Sequence, residues 1–159
     1  MSGARNNCRC YPWTGEEKVE LEWQDIPFYV SSAPFFAGHR PIFKKAEEIA
    51  QEMEERGLKP QRPLMILYRT GWIGGQLLIA AEKQDGDSSR LLFLREGKLV
   101  GKLYRGGVFR LSRVAREWAA ELEREGKVVR DILYWYLTCP ECAAGGTAEV
   151  MLIAVVSDS

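Results

Sequence analysis

The chain has 159 residues, with 22 lysines and arginines against 22 aspartates and glutamates. That length suits one domain, and the balanced charge supplies no field to recruit nucleic acid or an anionic membrane surface. No apolar run reaches the ~18 residues of a spanning helix and no cleavable signal is read, so a cytoplasmic location is expected.

Residues 1–18 read as an N-terminal extension carrying Cys8-Arg9-Cys10. Val19 to Ser32 follows as a pair of short strands interrupted at Pro27. The first helix places Ile42, Phe43, Ala46, Ile49, Ala50 and Met53 on one face, with Pro41 in its first turn and Gly57 as its C-terminal cap. Arg62 to Arg69 and Gln76 to Glu82 read as strands, and the short loop between them favours antiparallel pairing. The stretch from Gln84 to Ser89 has turn chemistry throughout and joins two halves. Leu91 to Tyr104 is again a pair of short strands, interrupted at Gly97. The second helix carries Leu111, Val114, Ala115, Trp118, Ala119 and Leu122 on one face and ends at Gly126. Trp118 could touch a ligand, but at helical spacing among leucine and alanine it reads as core. Val129 to Thr138 and Glu149 to Val156 close the chain as strands.

The same order thus occurs twice, in residues 19–83 and 91–157. Both helices end in Glu and Arg followed by Gly, and the distance from that Gly to the strand tyrosine, Tyr68 or Tyr136, differs by one residue between copies. We expect one α+β domain over 19–157: a duplicated strand-helix-strand-strand unit, an antiparallel sheet with two main helices on one face, and a pseudo-two-fold groove where a ligand binds.

Strand alternation sorts the aromatic residues. Tyr134 and Tyr136 share one face of their strand, and Leu133, Trp135 and Leu137 share the other. The wholly apolar set is expected beneath the helices and the tyrosine set in the groove. In the first copy Ile66 and Tyr68 take groove positions, and Tyr29, Tyr104 and Phe109 join them near the pseudo-dyad. Aromatic walls with hydroxyl tips suit a flat, amphipathic small molecule. The competing reading is a small sheet that covers its exposed side with tyrosine.

Cysteine occurs only in two pairs, Cys8/Cys10 and Cys139/Cys142. The Cys139-Pro140-Glu141-Cys142 turn aims two thiolates at one point, and both pairs together would complete a tetrahedral structural Zn site. A redox pair at Cys139 and Cys142, or unlinked thiols, are the alternatives.

Signals for catalysis are sparse. The single histidine, His39, lies in a loop segment far in sequence from any candidate nucleophile. Gly71 to Gly75 and Gly106-Gly107 lack the context of a phosphate loop. No catalytic residue is assigned.

Gly107-Val108-Phe109, the helix ending Trp118 to Gly126, and Tyr136-Leu137-Thr138-Cys139-Pro140 together resemble the GyrI-like family of small-molecule-binding domains. That family also supplies the effector-binding modules of multidrug-responsive transcription regulators. The resemblance implies the duplicated unit and a groove between the repeats. Members that bind cationic drugs carry a buried Glu two residues before the strand tyrosine; here that position is Tyr134 and its counterpart is Ile66. Glu149 is the carboxylate expected near the pocket mouth, or else a solvated strand-start glutamate. The expected function is binding of a small, largely apolar or aromatic molecule. The resemblance also implies two alternatives: hydrolysis of electrophilic, cyclopropyl-type molecules in the same groove, or binding of a protein partner.

Overall fold

A computed structural model describes residues 10–13, 15–33, 39–70, 75–82, 91–95, 97–143 and 147–158. Among these, eight strands form one antiparallel sheet: β1 (Lys18–Leu21), β2 (Phe28–Ala33), β3 (Ile66–Arg69), β4 (Gly75–Ala80), β5 (Leu91–Leu92), β6 (Lys98–Gly106), β7 (Lys127–Tyr136) and β8 (Ala148–Asp158). Helix α1 (His39–Glu55) lies between β2 and β3 in sequence, and α2 (Leu111–Arg124) between β6 and β7, after a 3-10 turn at Val108–Arg110. The breaks expected at Pro27 and Gly97 fall between β1 and β2 and between β5 and β6.

The strands lie in the order β1-β6-β8-β7-β3-β4-β2-β5. Outward from the central β3–β7 pair, one side reads β3, β4, β2 and the other β7, β8, β6. Each side therefore takes its last two strands first and the strand before its helix third. The central pair is in register at Leu67 with Trp135, Tyr68 with Tyr134 and Arg69 with Leu133. A bulge between Val129 and Asp131 shifts the register of β7 against β8.

Both helices are amphipathic, and their apolar stripes pack into one cluster. Ile42, Phe43, Ala46, Ile49, Ala50 and Met53 of α1 and Leu111, Ala115, Trp118 and Leu122 of α2 share it with one face of the sheet. Trp118 is core, as its spacing implies. Gly57 and Gly126 follow the helices at φ of 80° and 92°, left-handed values that glycine adopts without a Cβ clash.

The face assignment is reversed from the expectation. Ile66, Tyr68, Tyr134 and Tyr136 belong to the helix-bearing face. Leu133, Trp135 and Leu137, with Met65 and Leu67, lie on the other. The expectation treated one face as open and reserved the helices for the side without hydroxyls. In fact both faces are covered. Tyr11, Trp13 and Trp23 pack over the second face around Trp135, which is 2% exposed. Their rings stand edge-on to Trp135, with centroids 4.9, 5.6 and 4.9 Å away. None of the helices among the described residues is long and apolar enough to cross a membrane.

Candidate functional site

The helix-bearing face arranges the expected residues in rows across the sheet. In one row Tyr68 of β3 stands opposite Tyr134 of β7, flanked by Leu77 and Leu152. The rings of Tyr68 and Tyr134 lie nearly parallel, 16° apart, with centroids at 6.4 Å. One step along the strands a second row holds Tyr29, Ile79 and Ile66 on one side and Tyr136, Val150 and Tyr104 on the other. Strands are spaced at ~4.8 Å, so Tyr29 and Tyr104 each lie two strands, roughly 10 Å, from the centre. Ile66, Tyr68, Tyr134 and Tyr136 are thus immediate neighbours, with Tyr29 and Tyr104 as distant flanks.

Both flanking hydroxyls are engaged. Tyr29 donates to Glu52 Oε2 on α1, and Tyr104 donates to the Gly107 carbonyl at 2.7 Å. The second bond ties the row to the turn that starts α2. Phe109, in that turn, is 88% exposed. Glu149 is not brought to the tyrosines. Its neighbour Val150 joins the helix-side cluster, so alternation turns Glu149 to the opposite face. There its carboxylate accepts from Arg105 Nε at 2.6 Å, while Arg105 also reaches Glu17 at 2.9 Å.

Burial raises all three central phenols further above neutral pH. Tyr136 is pushed far above its ordinary value of 10.0, first by burial and then by the nearby Tyr134 and Tyr68. Tyr134 is raised by burial and by Tyr68, with Arg116 on α2 acting in the opposite sense. Tyr68 is raised by burial. All three remain neutral near pH 7, able to donate and accept hydrogen bonds but not to act as anionic bases.

Sequence reasoning missed one contributor. Gly75 leaves room for the Tyr68 ring, because a Cβ there would lie 2.4 Å from the Tyr68 hydroxyl. A glycine inside a strand is a signal of such close approach. Arg116, exposed on α2, slightly opposes the rise at Tyr134 and makes no described contact with the tyrosines. Two clefts among the described residues lie elsewhere. One of about 330 Å³ runs between β1, β6 and α2 past Trp118 and Glu121. The other, about 470 Å³, is ringed by Arg95, Lys98 and Lys127. No tyrosine lines either.

The cysteines form a separate centre. Cys10, Cys139 and Cys142 have their sulfurs within 4.8 Å of one another, close enough to hold a metal ion. Cys139 is buried, Cys10 half-buried and Cys142 exposed. Cys8, expected with them, lies outside the described residues.

A family model described as bacterial hydrolase matches residues 2–156. No curated protein matches the chain. Among solved structures, a hydrolase encoded by lin2189 from Listeria innocua is similar at 15% identity and a TM-score of 0.52, over 89% of this chain and 91% of that one. A conserved protein from Listeria innocua is similar at the same identity and TM-score, over 89% and 92%. At this identity the likeness concerns the fold.

Proposed function

The chain belongs to the bacterial hydrolase family, and from that premise we propose that it hydrolyses a small, largely apolar or aromatic electrophile. The molecule would sit between the helices against Ile66, Tyr68, Tyr134 and Tyr136. The observation that carries this reading is the near-parallel pair Tyr68–Tyr134 at the centre of the sheet, on the face that bears both helices. Tyr29, Tyr104 and Phe109 would contact only a ligand extending along the row.

The same proposal takes the finer fold as a GyrI-like duplication. Residues 19–83 and 91–157 would be two strand-helix-strand-strand units, and the groove would follow their join. The strand order on either side of β3–β7 supports it.

The chemistry follows from neutral phenols. Hydrolysis of a strained ring conjugated to a carbonyl adds the hydroxyl of water to one ring carbon and its proton to the carbon that departs. Negative charge develops on the carbonyl oxygen as the bond breaks. A neutral phenol can donate to that oxygen, and such a bond to developing charge contributes about 1.5–3 kcal/mol. Glu149 takes no part, because it pairs with Arg105 on the opposite face. Tyr134 stands where cation-binding members of the resembling family carry a buried glutamate, so neutral ligands would be favoured over cationic ones.

The test is incubation of the protein with a panel of aryl cyclopropyl ketones, in neutral and cationic forms, with products read by mass spectrometry. Conversion of neutral members with gain of one water, slowed about tenfold or more by Tyr134→Phe, is the expected result. Binding of the panel without any conversion would overturn the hydrolase reading and leave a binding module. Conversion unaffected by Tyr134→Phe and Tyr136→Phe would remove the tyrosine face from the site.

A further inference from the structure

We propose that Cys10, Cys139 and Cys142 hold a Zn2+ ion, and that this ion fastens the N-terminal segment across the end of the sheet. The inference is independent of the hydrolase reading.

Spacing is the first argument. The sulfurs of Cys10 and Cys139 are 3.6 Å apart, although the residues are 129 positions apart in sequence. A disulfide would bring them to about 2.05 Å. Two thiolates each ~2.3 Å from one tetrahedral zinc lie roughly 3.8 Å apart. The third sulfur, from Cys142, falls within 4.8 Å of both.

Local backbone is the second. The amides of Cys142 and Ala143 both donate to the Cys139 carbonyl, at 3.1 and 3.0 Å. That folds Cys139-Pro140-Glu141-Cys142 into a turn returning one sulfur to the other. The Cys139 amide donates to Cys10 Sγ at 3.3 Å, a bond that stabilises negative charge on a metal-bound thiolate. Three thiolates this close repel one another unless a cation lies among them. An all-sulfur set selects zinc over calcium or magnesium, which prefer oxygen. One further ligand would close the coordination.

Position gives the ion its role. Directly after Cys10, the Tyr11 amide donates to the Leu137 carbonyl at 2.8 Å, and the rings of Tyr11 and Trp13 cover Trp135. A zinc ion at Cys10 therefore anchors the segment that closes the second face. The sheet and helices have their own apolar clusters, so losing the ion should loosen this segment before the core.

The experiment uses the full chain, grown with added zinc and measured by elemental analysis and hydrogen exchange. About one zinc per chain is expected. Replacement by Co2+ should give thiolate-to-cobalt charge-transfer bands. Chelation should raise exchange at the Tyr11 amide at least about tenfold while amides of β3 and β7 stay protected. Cys142→Ser, at an exposed position, should weaken zinc binding about tenfold or more. Protein that takes up neither zinc nor cobalt on titration, or that holds these cysteines only as a disulfide, overturns the site. Bound zinc whose removal leaves the Tyr11 amide protected overturns the anchoring role. Full zinc retention in Cys142→Ser removes Cys142 from the ligand set.

Discussion

The two faces of the sheet are made by the same strands and do different work. On β7, Tyr134 and Tyr136 alternate with Leu133, Trp135 and Leu137. The tyrosine side lies under two helices, whose stripes of alanine, leucine and isoleucine accept aromatic rings and leave hydroxyl tips to find partners. The tryptophan side is closed by side chains from the chain's beginning: Tyr11, Trp13 and Trp23. There the indole N–H groups of Trp13 and Trp135 are buried with no hydrogen-bond acceptor among the described residues. On the helix-bearing face the Tyr29 and Tyr104 hydroxyls are bonded; the other face is an aromatic plug that tolerates orphaned donors. Burial alone does not distinguish them, since Tyr136 is 6% exposed and Trp135 is 2%. The difference lies in what covers each face and which polar atoms it leaves.

The comparison breaks most readily at Trp135. It is the ring that Tyr11, Trp13 and Trp23 share. Trp135→Ala should destabilise the protein by about 3–5 kcal/mol, read as a shift in the urea midpoint. A loss below about 1 kcal/mol would mean that the second face is a loose covering rather than a core.

Gly75→Ala probes the other face. Its new Cβ would meet the Tyr68 ring at 2.4–2.5 Å, and that ring lies beside Tyr134 with little exposure. We expect a loss of about 1–3 kcal/mol and a changed near-ultraviolet tyrosine spectrum. An unchanged spectrum would show that Tyr68 has other room to occupy.

Much of this was legible in the residues, and the failure is specific. The stripes of α1 and α2, the glycines that end them, and the interruptions at Pro27 and Gly97 are local signals, and the order of elements follows them, although α1 begins at His39, read as loop, and β3 only at Ile66 rather than Arg62. Strand alternation correctly separated Tyr134 from Trp135. It could not say which set meets the helices, because a period of two carries no information about what lies above each face. The missing fact was that Tyr11, Trp13 and Trp23 return to cover Trp135, contacts more than 100 residues apart in the chain. Glu149 lies on the face away from the tyrosines because the β7–β8 register sets Val150, not Glu149, opposite Tyr136, and register between distant strands is not written in either strand alone. The meeting of Cys10 with Cys139 and Cys142 was readable because cysteine occurs nowhere outside the two pairs.

Alkaline pH separates the faces by titration. Tyr136 ionises in the unfolded chain near 10.0, whereas burial keeps it neutral in the folded protein to higher pH. Its contribution to stability is therefore full below pH 10 and is lost as pH rises above that value towards the raised folded value. The slope is at most about 1.4 kcal/mol per pH unit. Tyr136→Phe should flatten the fall measured in urea titrations above pH 10, and Trp135→Phe on the other face should not. Equal slopes in wild type and Tyr136→Phe would place the alkaline sensitivity elsewhere.

The smallest expected change in stability is at Phe109, and it decides how far the tyrosine face extends as a site. At 88% exposure its ring buries little, so Phe109→Ser should alter stability by less than about 0.5 kcal/mol. A large exposed aromatic beside an amphipathic row is also a contact surface for a ligand or partner. The Tyr104–Gly107 bond ties the turn that carries Phe109 to Tyr104. A ligand reaching from Tyr134 past Tyr104 would cover part of the ring. Phe109→Ser should then weaken binding by about 1 kcal/mol, some fivefold in Kd, in a calorimetric titration with a neutral planar ligand. Undiminished affinity, with Tyr134→Ala still impaired, would confine the site to Ile66, Tyr68, Tyr134 and Tyr136. Tyr29 and Tyr104, two strands out on either side, would then be structural residues whose hydroxyls tie α1 and the α2 turn to the sheet.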